Sequence, residues 1–423
     1  MRMPEPGSLP RRGREAWRAG VSGAAVSGVT GADVAVVGAG PVGVFLATAL
    51  ALRGLDVVLL ERRVGERRHS RAIGIHPPSL AALERLGVLD EILRRGMRVD
   101  RGVLRIDGQD AAALEFARVP ERHPFVITLP QVETERILRA RLDALAPGAL
   151  REGFTVGRIE ALPGRVRLHA VAGPSAVDAR LVVGADGPLG VVRRAAGLGG
   201  TSRAYRHRYV MGDVADETDD GATAVLHLNP DGIVESFPLP GGVRRWVTHL
   251  PEQHEQHGTC GSSHRRAAED DDGARAAARL ADLVDARTGI RIDPATTTMT
   301  SEFGVRRAAA SGMARGRMLL VGDAAHEVSP IGGQGMNLGW LDADELAEIV
   351  PEVLRSGRRE PLVAWQRRRL ASAARAARMA EFNMAMGSPC GPLAFAARRL
   401  VVAGASGPLL AGRLARAFTM HGL

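Results

Sequence analysis

The first residues whose types and spacing suggest chemistry are three glycines in Gly38-Ala39-Gly40-Pro41-Val42-Gly43. A lone acid, Glu61, stands 18 positions beyond the last of them. A glycine at the first place allows a tight turn, and one at the second lets a pyrophosphate approach the backbone. One at the third lets a helix pack close to a strand. Phosphates at such a loop would meet the positive end of the helix that follows. A carboxylate at Glu61 can accept both hydroxyls of an adenosine ribose. These residues predict dinucleotide binding and leave open whether the dinucleotide is NAD or FAD.

Two later segments bear on that choice. One is Val182-Val183-Gly184-Ala185-Asp186-Gly187, followed by Arg193. The other is Gly322-Asp323-Ala324-Ala325-His326, then Pro330 and Gly332-Gly333-Gln334-Gly335-Met336-Asn337. Each places an aspartate at the carboxyl end of an apolar strand, where open α/β sheets bind their ligands. The second adds a glycine-rich turn opening a helix, whose amides suit an anion such as a flavin made negative by reduction.

These groups need elements to position them. Val34-Ala35-Val36-Val37 reads as a buried parallel strand, followed by a helix to about Arg53 and a second strand from Asp56 to Leu60 ending at Glu61. Helices are predicted at 77–86 and 131–146, and strands within 97–128 and 154–183. The stretch 205–250 reads as an antiparallel sheet with turns at Asn229-Pro230-Asp231-Gly232 and Pro240-Gly241-Gly242. Residues 252–273, with His254, His257, His264 and the acidic run Glu269 to Asp272, read as a surface loop rather than a metal site. A strand at 318–321 and a long helix from about Met336 to Leu354 precede some 60 helical, arginine-rich residues.

With these motifs in this order across roughly residues 33–350, the sequence resembles the class A flavoprotein monooxygenases, the para-hydroxybenzoate hydroxylase-like aromatic hydroxylases. The resemblance implies FAD bound at Gly38, Gly40, Pro41, Gly43, Glu61 and Arg62, with Asp323 on the ribityl chain. Asp186, Gly187, Gly322, Pro330, Gly333, Gln334, Gly335, Met336 and Asn337 complete the implied site. Arg71 matches a family arginine near the flavin, Gln131 a flavin-contacting glutamine, and Val156 a strand position against adenine. Gly190 stands where the family usually has Ser. The resemblance further implies NADH or NADPH as transient reductant, O₂ as co-substrate, and a flavin C4a-hydroperoxide that hydroxylates an aromatic, polyketide-phenol or quinone-precursor substrate. A second GxGxxG or a CxxC, expected of a disulfide reductase, is absent from the sequence. The alternative is a flavin-dependent reductase or oxidase of a lipophilic substrate on the same scaffold, and a non-enzymatic flavin-binding protein is a third reading.

The implied fold is α/β with two domains: a Rossmann-like FAD-binding domain, an inserted antiparallel-sheet substrate domain, and a C-terminal helical tail. The expected division assigns 1–30 to a disordered leader and 31–96, 129–200 and 304–355 to the FAD-binding domain. It assigns 97–128 and 201–303 to the substrate domain and 356–423 to the tail. No catalytic residue is assigned, although His76 and Pro330 are candidates, and His326 could orient a phenol or cap its loop. Tyr205, Tyr209, His227, Phe237 and Trp246 are candidate substrate-lining residues.

Composition excludes several rivals. All 56 basic residues are arginines, which removes Schiff-base enzymes, the lysine of a P-loop, and halogenases that rely on a catalytic lysine. The net charge of +9 suggests a polyanionic partner, but residues 351–423 carry twelve arginines against three glutamates, while residues 31–350 are slightly acidic. With only 4% aromatic residues, nucleic-acid binding is not expected. The arginines of the tail alternate with Leu, Val, Phe and Met at helical spacing, so peripheral contact with an anionic membrane is one expectation and packing on the fold the other. Cys260 and Cys390 form no ligand pattern and read as thiols of a reducing cytosol, and no apolar run is long enough to span a bilayer.

Overall fold

The computed structural model describes residues 29–65, 72–251, 265–329, 333–405, 415–416 and 418–422. Its first sheet is built on parallel strands in the order Met318–Leu320, Ala176–Gly184, Val29–Val37, Val57–Leu60 and Leu150–Arg151. The Val34–Val37 run pairs on both edges and is covered on both faces, so every residue in it is apolar and buried. The Pro41–Leu52 helix is apolar all round because it is enclosed by the sheet and by the helices Gln131–Leu145 and Gln334–Ser356. This is the strand, glycine turn, helix and strand expected around Glu61.

The second sheet has eight strands, antiparallel except where Ala224–Leu228 runs parallel to Arg101–Ile106, and its central strands are buried on both faces. In the strand Gly200–Ala215, Tyr209, Met211 and Asp213 turn to one face, while Val210 and Val214 turn to the other and pack with Trp246, Leu280 and Val284. Leu280 and Val284 belong to the helix Arg265–Thr288, which corrects part of the surface loop expected at 252–273. The apolar positions 276, 277, 280, 283 and 284 recur at helical spacing and bury that helix on the back of the sheet, so the acidic run Glu269 to Asp272 lies on a helix. Cys260 and the three histidines of that stretch lie outside the described residues. Among the described residues no cluster of His, Cys, Asp and Glu could hold a metal ion.

The arginine-rich tail packs on this body. The helix Glu360–Gly387 buries Leu362, Trp365 and Arg369 beside Gln334–Ser356. The helix Pro392–Ala405 rests Phe395 and Val402 on Ile106 and Leu228 and leaves Leu393, Leu400 and Val401 exposed. No helix among the described residues is long and apolar enough to cross a membrane.

Candidate active site

The carboxyl ends of four parallel strands deliver Gly38, Glu61, Asp186 and Asp323 to one cavity of about 640 Å³. Gly40, Pro41, Arg62, Gln131, Val156, Gly187, Gly333, Gly335 and Met336 also line it, as does His76. Glu61 is 7% exposed, and its carboxylate is fixed by two backbone amides: Ala39 N donates to Oε2 at 2.8 Å and Arg63 N to Oε1 at 3.0 Å. Fixed in this way, it keeps lone pairs turned to the cavity. The Pro41–Leu52 helix starts there with no side-chain cap and no acid in its first turn, so its amides are available to an anion.

Asp186 accepts from Val192 N at 3.2 Å through Oδ2, while its buried Oδ1 has no hydrogen-bond partner among the described residues. Burial raises its pKa, against the opposing pull of the Val192 amide. A Cβ on Gly190 would stand 2.1 Å from Oδ1, so this carboxylate occupies the space that a serine side chain would need at that position.

Gly43, Gly322, Gln334 and Asn337 do not line the cavity but support it from behind. Gly43 lies against the Gly38 carbonyl, and Gly322 packs on Val42. Asn337 accepts from His76 N at 2.9 Å and donates to the Gly74 and Gly333 carbonyls, also at 2.9 Å, which ties three cavity segments together. Gln334 is 1% exposed at the start of its helix. Arg71 and Pro330 lie outside the described residues.

His326 sits away from the cavity, in a buried ionic cluster. Its Nε2 is 2.7 Å from Asp342 Oδ2, which also accepts from Gly322 N at 3.0 Å, and Asp342 Oδ1 accepts from Arg369 Nε at 2.8 Å. Burial disfavours both charges, yet the Asp342 carboxylate outweighs it and raises His326, while His326 and Arg369 hold Asp342 low. His326 therefore anchors the loop that carries Asp323.

The far wall of the cavity comes from the second sheet. Phe237 lines it as expected, together with Met211, Val247, Phe303, Glu235 and Arg245. Tyr205, Tyr209, His227 and Trp246 do not. Tyr209 lies deeper on the same face, stacked on Phe303 at 5.8 Å. His227 turns to the opposite face against Trp246, and burial takes it down to about 4, so it is a neutral core imidazole. Phe418, from the end of the tail, also reaches the cavity and stacks on Phe116 at 5.6 Å. Glu235, Arg245 and Phe418 were not singled out from sequence. The lone acid of the otherwise uncharged strand Val234–Leu239 was a signal for the first of them.

The geometry is that of a nucleotide cradle opening onto an apolar chamber, and comparison with known proteins agrees. The FAD binding domain family model matches residues 31–380. The 6-methylpretetramide 4-monooxygenase of Streptomyces rimosus is 32% identical over 79% of this chain and 58% of its own length. A rifampicin monooxygenase of Streptomyces venezuelae is 31% identical over 74% and 63%. The chain thus spans about three fifths of these relatives. The crystal structure of p-nitrophenol 4-monooxygenase from Pseudomonas putida DLL-E4 superposes with a TM-score of 0.80 over 94% of this chain and 99% of that one, at 24% identity, and so shares its fold. The chain belongs to the FAD-binding domain family of flavoproteins.

Proposed function

We propose that this protein is an FAD-dependent monooxygenase that consumes NADH or NADPH and O₂ to hydroxylate an aromatic, polyketide-phenol or quinone-precursor substrate. The observation that carries this reading is the single cavity that joins the Glu61–Gly38 cradle to the chamber lined by Phe237, Phe303 and Met211. The monooxygenase names of the relatives, phenolic and polyketide alike, support it. The same reading assigns 31–96, 129–200 and 304–355 to the FAD-binding unit and 97–128 and 201–303 to the substrate unit.

Glu61 would hold the adenosine ribose, the Gly38–Gly40 loop and the helix start at Pro41 the pyrophosphate, and Asp323 the ribityl chain. Bound there, FAD supplies the redox chemistry, taking reducing equivalents from the nicotinamide and activating oxygen. The apolar part of the far wall, Met211, Phe237, Val247 and Phe303, would keep water from the reacting centre and place the substrate ring. NAD(P)H oxidation by the purified yellow protein is expected to be stimulated by a phenolic substrate, with one atom of ¹⁸O₂ entering the product. Product formed without oxygen would instead select the reductase reading.

The membrane expectation narrows to the outer face of Pro392–Ala405, where Leu393, Leu400 and Val401 stand exposed beside Arg398 and Arg399. On this reading the full chain co-sediments with anionic vesicles, and a variant with Leu393, Leu400 and Val401 changed to Gln does not. Equal recovery of the two in the supernatant would remove the membrane from the picture.

A further inference from the structure

Glu235 is 6% exposed and lines the cavity on the same strand face as Phe237, opposite Val247 in register. No hydrogen bond or ion pair holds its carboxyl among the described residues, and burial alone, with nothing opposing it, acts on its ionisation. Buried carboxylates are ordinarily paired, so one left without a partner in a cavity wall points to an absent ligand.

The charge around it is otherwise closed. Arg245, on the neighbouring strand, is held by Asp213 through two bonds, Nε to Oδ1 at 2.6 Å and Nη2 to Oδ2 at 2.8 Å. Arg306, which also lines the cavity, pairs with Glu327 at 3.9 Å. Tyr209 on the same face keeps its hydroxyl buried without a partner, and burial together with Glu235 raises its pKa, so it stays neutral. His249, beyond it, is 3.1 Å from His207 and is pulled down to about 4 by burial, so it is neutral as well. His227 on the next strand turns to the opposite face. Glu327, on the edge strand of the same sheet, also lines the cavity with an Oε2 that makes no hydrogen bond, but Arg306 answers its charge. Among the described residues, Glu235 is therefore the carboxylate of the far wall that has no cationic partner, and the wall offers no unmatched cation.

Resting on the function proposed above, we infer that Glu235 selects the substrate: it accepts a hydrogen bond from a hydroxyl on a neutral aromatic ring and excludes ring carboxylates. A phenol O–H directed at a carboxylate forms a charge-assisted bond, about twice as strong as a neutral one. The bond also draws the proton away from the ring and enriches it in electrons. A ligand carboxylate at the same place would set two like charges together in a poorly solvated site.

The test uses the full-length FAD-loaded protein with three probes: 1-naphthol, 1-methoxynaphthalene and 1-naphthoate. Calorimetric titration of the wild type is expected to show 1-naphthol binding roughly tenfold tighter than the methoxy compound, the ratio that about 1.4 kcal/mol represents. Glu235 is pushed up to about 7, so 1-naphthol affinity should rise severalfold from pH 6 to pH 8. Affinity for 1-naphthoate should fall over the same range. At pH 6.5, binding of 1-naphthol should release protons, read from titrations in two buffers of different ionisation enthalpy. In Glu235→Gln the pH dependence should disappear and the preference for the hydroxyl should shrink, because the amide oxygen accepts only an uncharged bond, while FAD content is unchanged.

A flat pH profile, absent proton release, failure of the yellow wild type to bind 1-naphthol, or an unaltered preference in Glu235→Gln would each overturn the inference. The proton-release measurement needs no variant, so poor folding of Glu235→Gln cannot shield the proposal. A protein that binds 1-naphthol as described but incorporates no oxygen would sink the monooxygenase reading and leave the role of Glu235 standing. One that hydroxylates a phenol with a flat binding profile would do the reverse.

Discussion

Gly43→Ala is expected to yield a colourless protein with a sharply lowered melting temperature. A Cβ at this position would stand 1.9 Å from the Gly38 carbonyl oxygen and 3.2 Å from the Ala185 side chain. The first distance is far inside van der Waals contact, and its partner is backbone. Relief requires the Pro41–Leu52 helix to lift from the strand Val29–Val37 or the glycine turn to open. The turn has little freedom to give. Gly38 has a φ of +99°, and its own position is hemmed in by the Ala185 carbonyl, which a Cβ would meet at 2.5 Å. Either movement displaces the amides at the helix start and the backbone amide of Ala39, which fixes Glu61. The loss should reach the exceptional range above about 4 kcal/mol seen when backbone packing is violated. A deficit of that size in FAD affinity would be roughly a thousandfold. Gly199→Ala is the control, because a Cβ there meets nothing within 4 Å. Flavin absorbance after gel filtration and a thermal scan of both variants measure the effect. A yellow Gly43→Ala protein melting with Gly199→Ala would show that this contact does not govern the cradle.

What could be read from the sequence and what could not follow from the range of the interactions. The glycine turn, its flanking strands and Glu61 lie within 33 residues, and each obeys a local rule of spacing, so the cradle is legible in the sequence alone. The Arg265–Thr288 helix was not fully legible, because its polar composition concealed a narrow apolar stripe that only the back of the second sheet explains. Glu235 was missed because its strand pairs only with local neighbours, while the cavity that gives it a role is closed by residues far away in sequence, Gly38, Glu61 and Phe418 among them. Aromatic residues attracted attention as candidate substrate contacts, yet Tyr209 and Trp246 are core. In a sheet buried on both faces, parity decides which face a side chain takes, and residue type does not. The charge of the tail also changes its meaning. Arg369, counted among the cations of residues 351–423, is 2% exposed and neutralised inside the fold, so not every arginine of the excess faces solvent.

That same arginine carries the second large effect. Asp342→Asn should destabilise the protein by about 3–5 kcal/mol, the range found when one partner of a buried ion pair is removed. At about 2 cal/mol/K per residue, this corresponds to a fall in melting temperature on the order of 5 °C for a chain of 423 residues. The carboxylate serves three donors: Arg369 Nε on Oδ1, and His326 Nε2 with Gly322 N on Oδ2. An asparagine keeps one acceptor and turns an NH₂ group toward a donor, so either the Arg369 side or the Gly322 side loses its bond. If it is Gly322, the turn before Asp323 loosens and flavin retention falls with stability. The pH dependence gives an independent check. His326 is raised in the folded protein, so its stabilising contribution is complete below the ordinary histidine range, near pH 6.5, and fades as pH rises through its folded value. Asp342 is lowered, so its contribution holds above the ordinary carboxylate range, near pH 3.8, and fades below it. In Asp342→Asn the buried imidazole has lost its counter-charge and resists protonation, so the deficit against wild type should widen as pH falls from 8 to 6. Arg368→Gln provides the comparison. It removes an arginine one residue away whose partner, Glu345, it meets at 3.2 Å on the surface, and exposed pairs of this kind are worth about 0–1 kcal/mol. If Asp342→Asn melts with Arg368→Gln, or if its deficit stays constant with pH, the buried cluster does not anchor the loop.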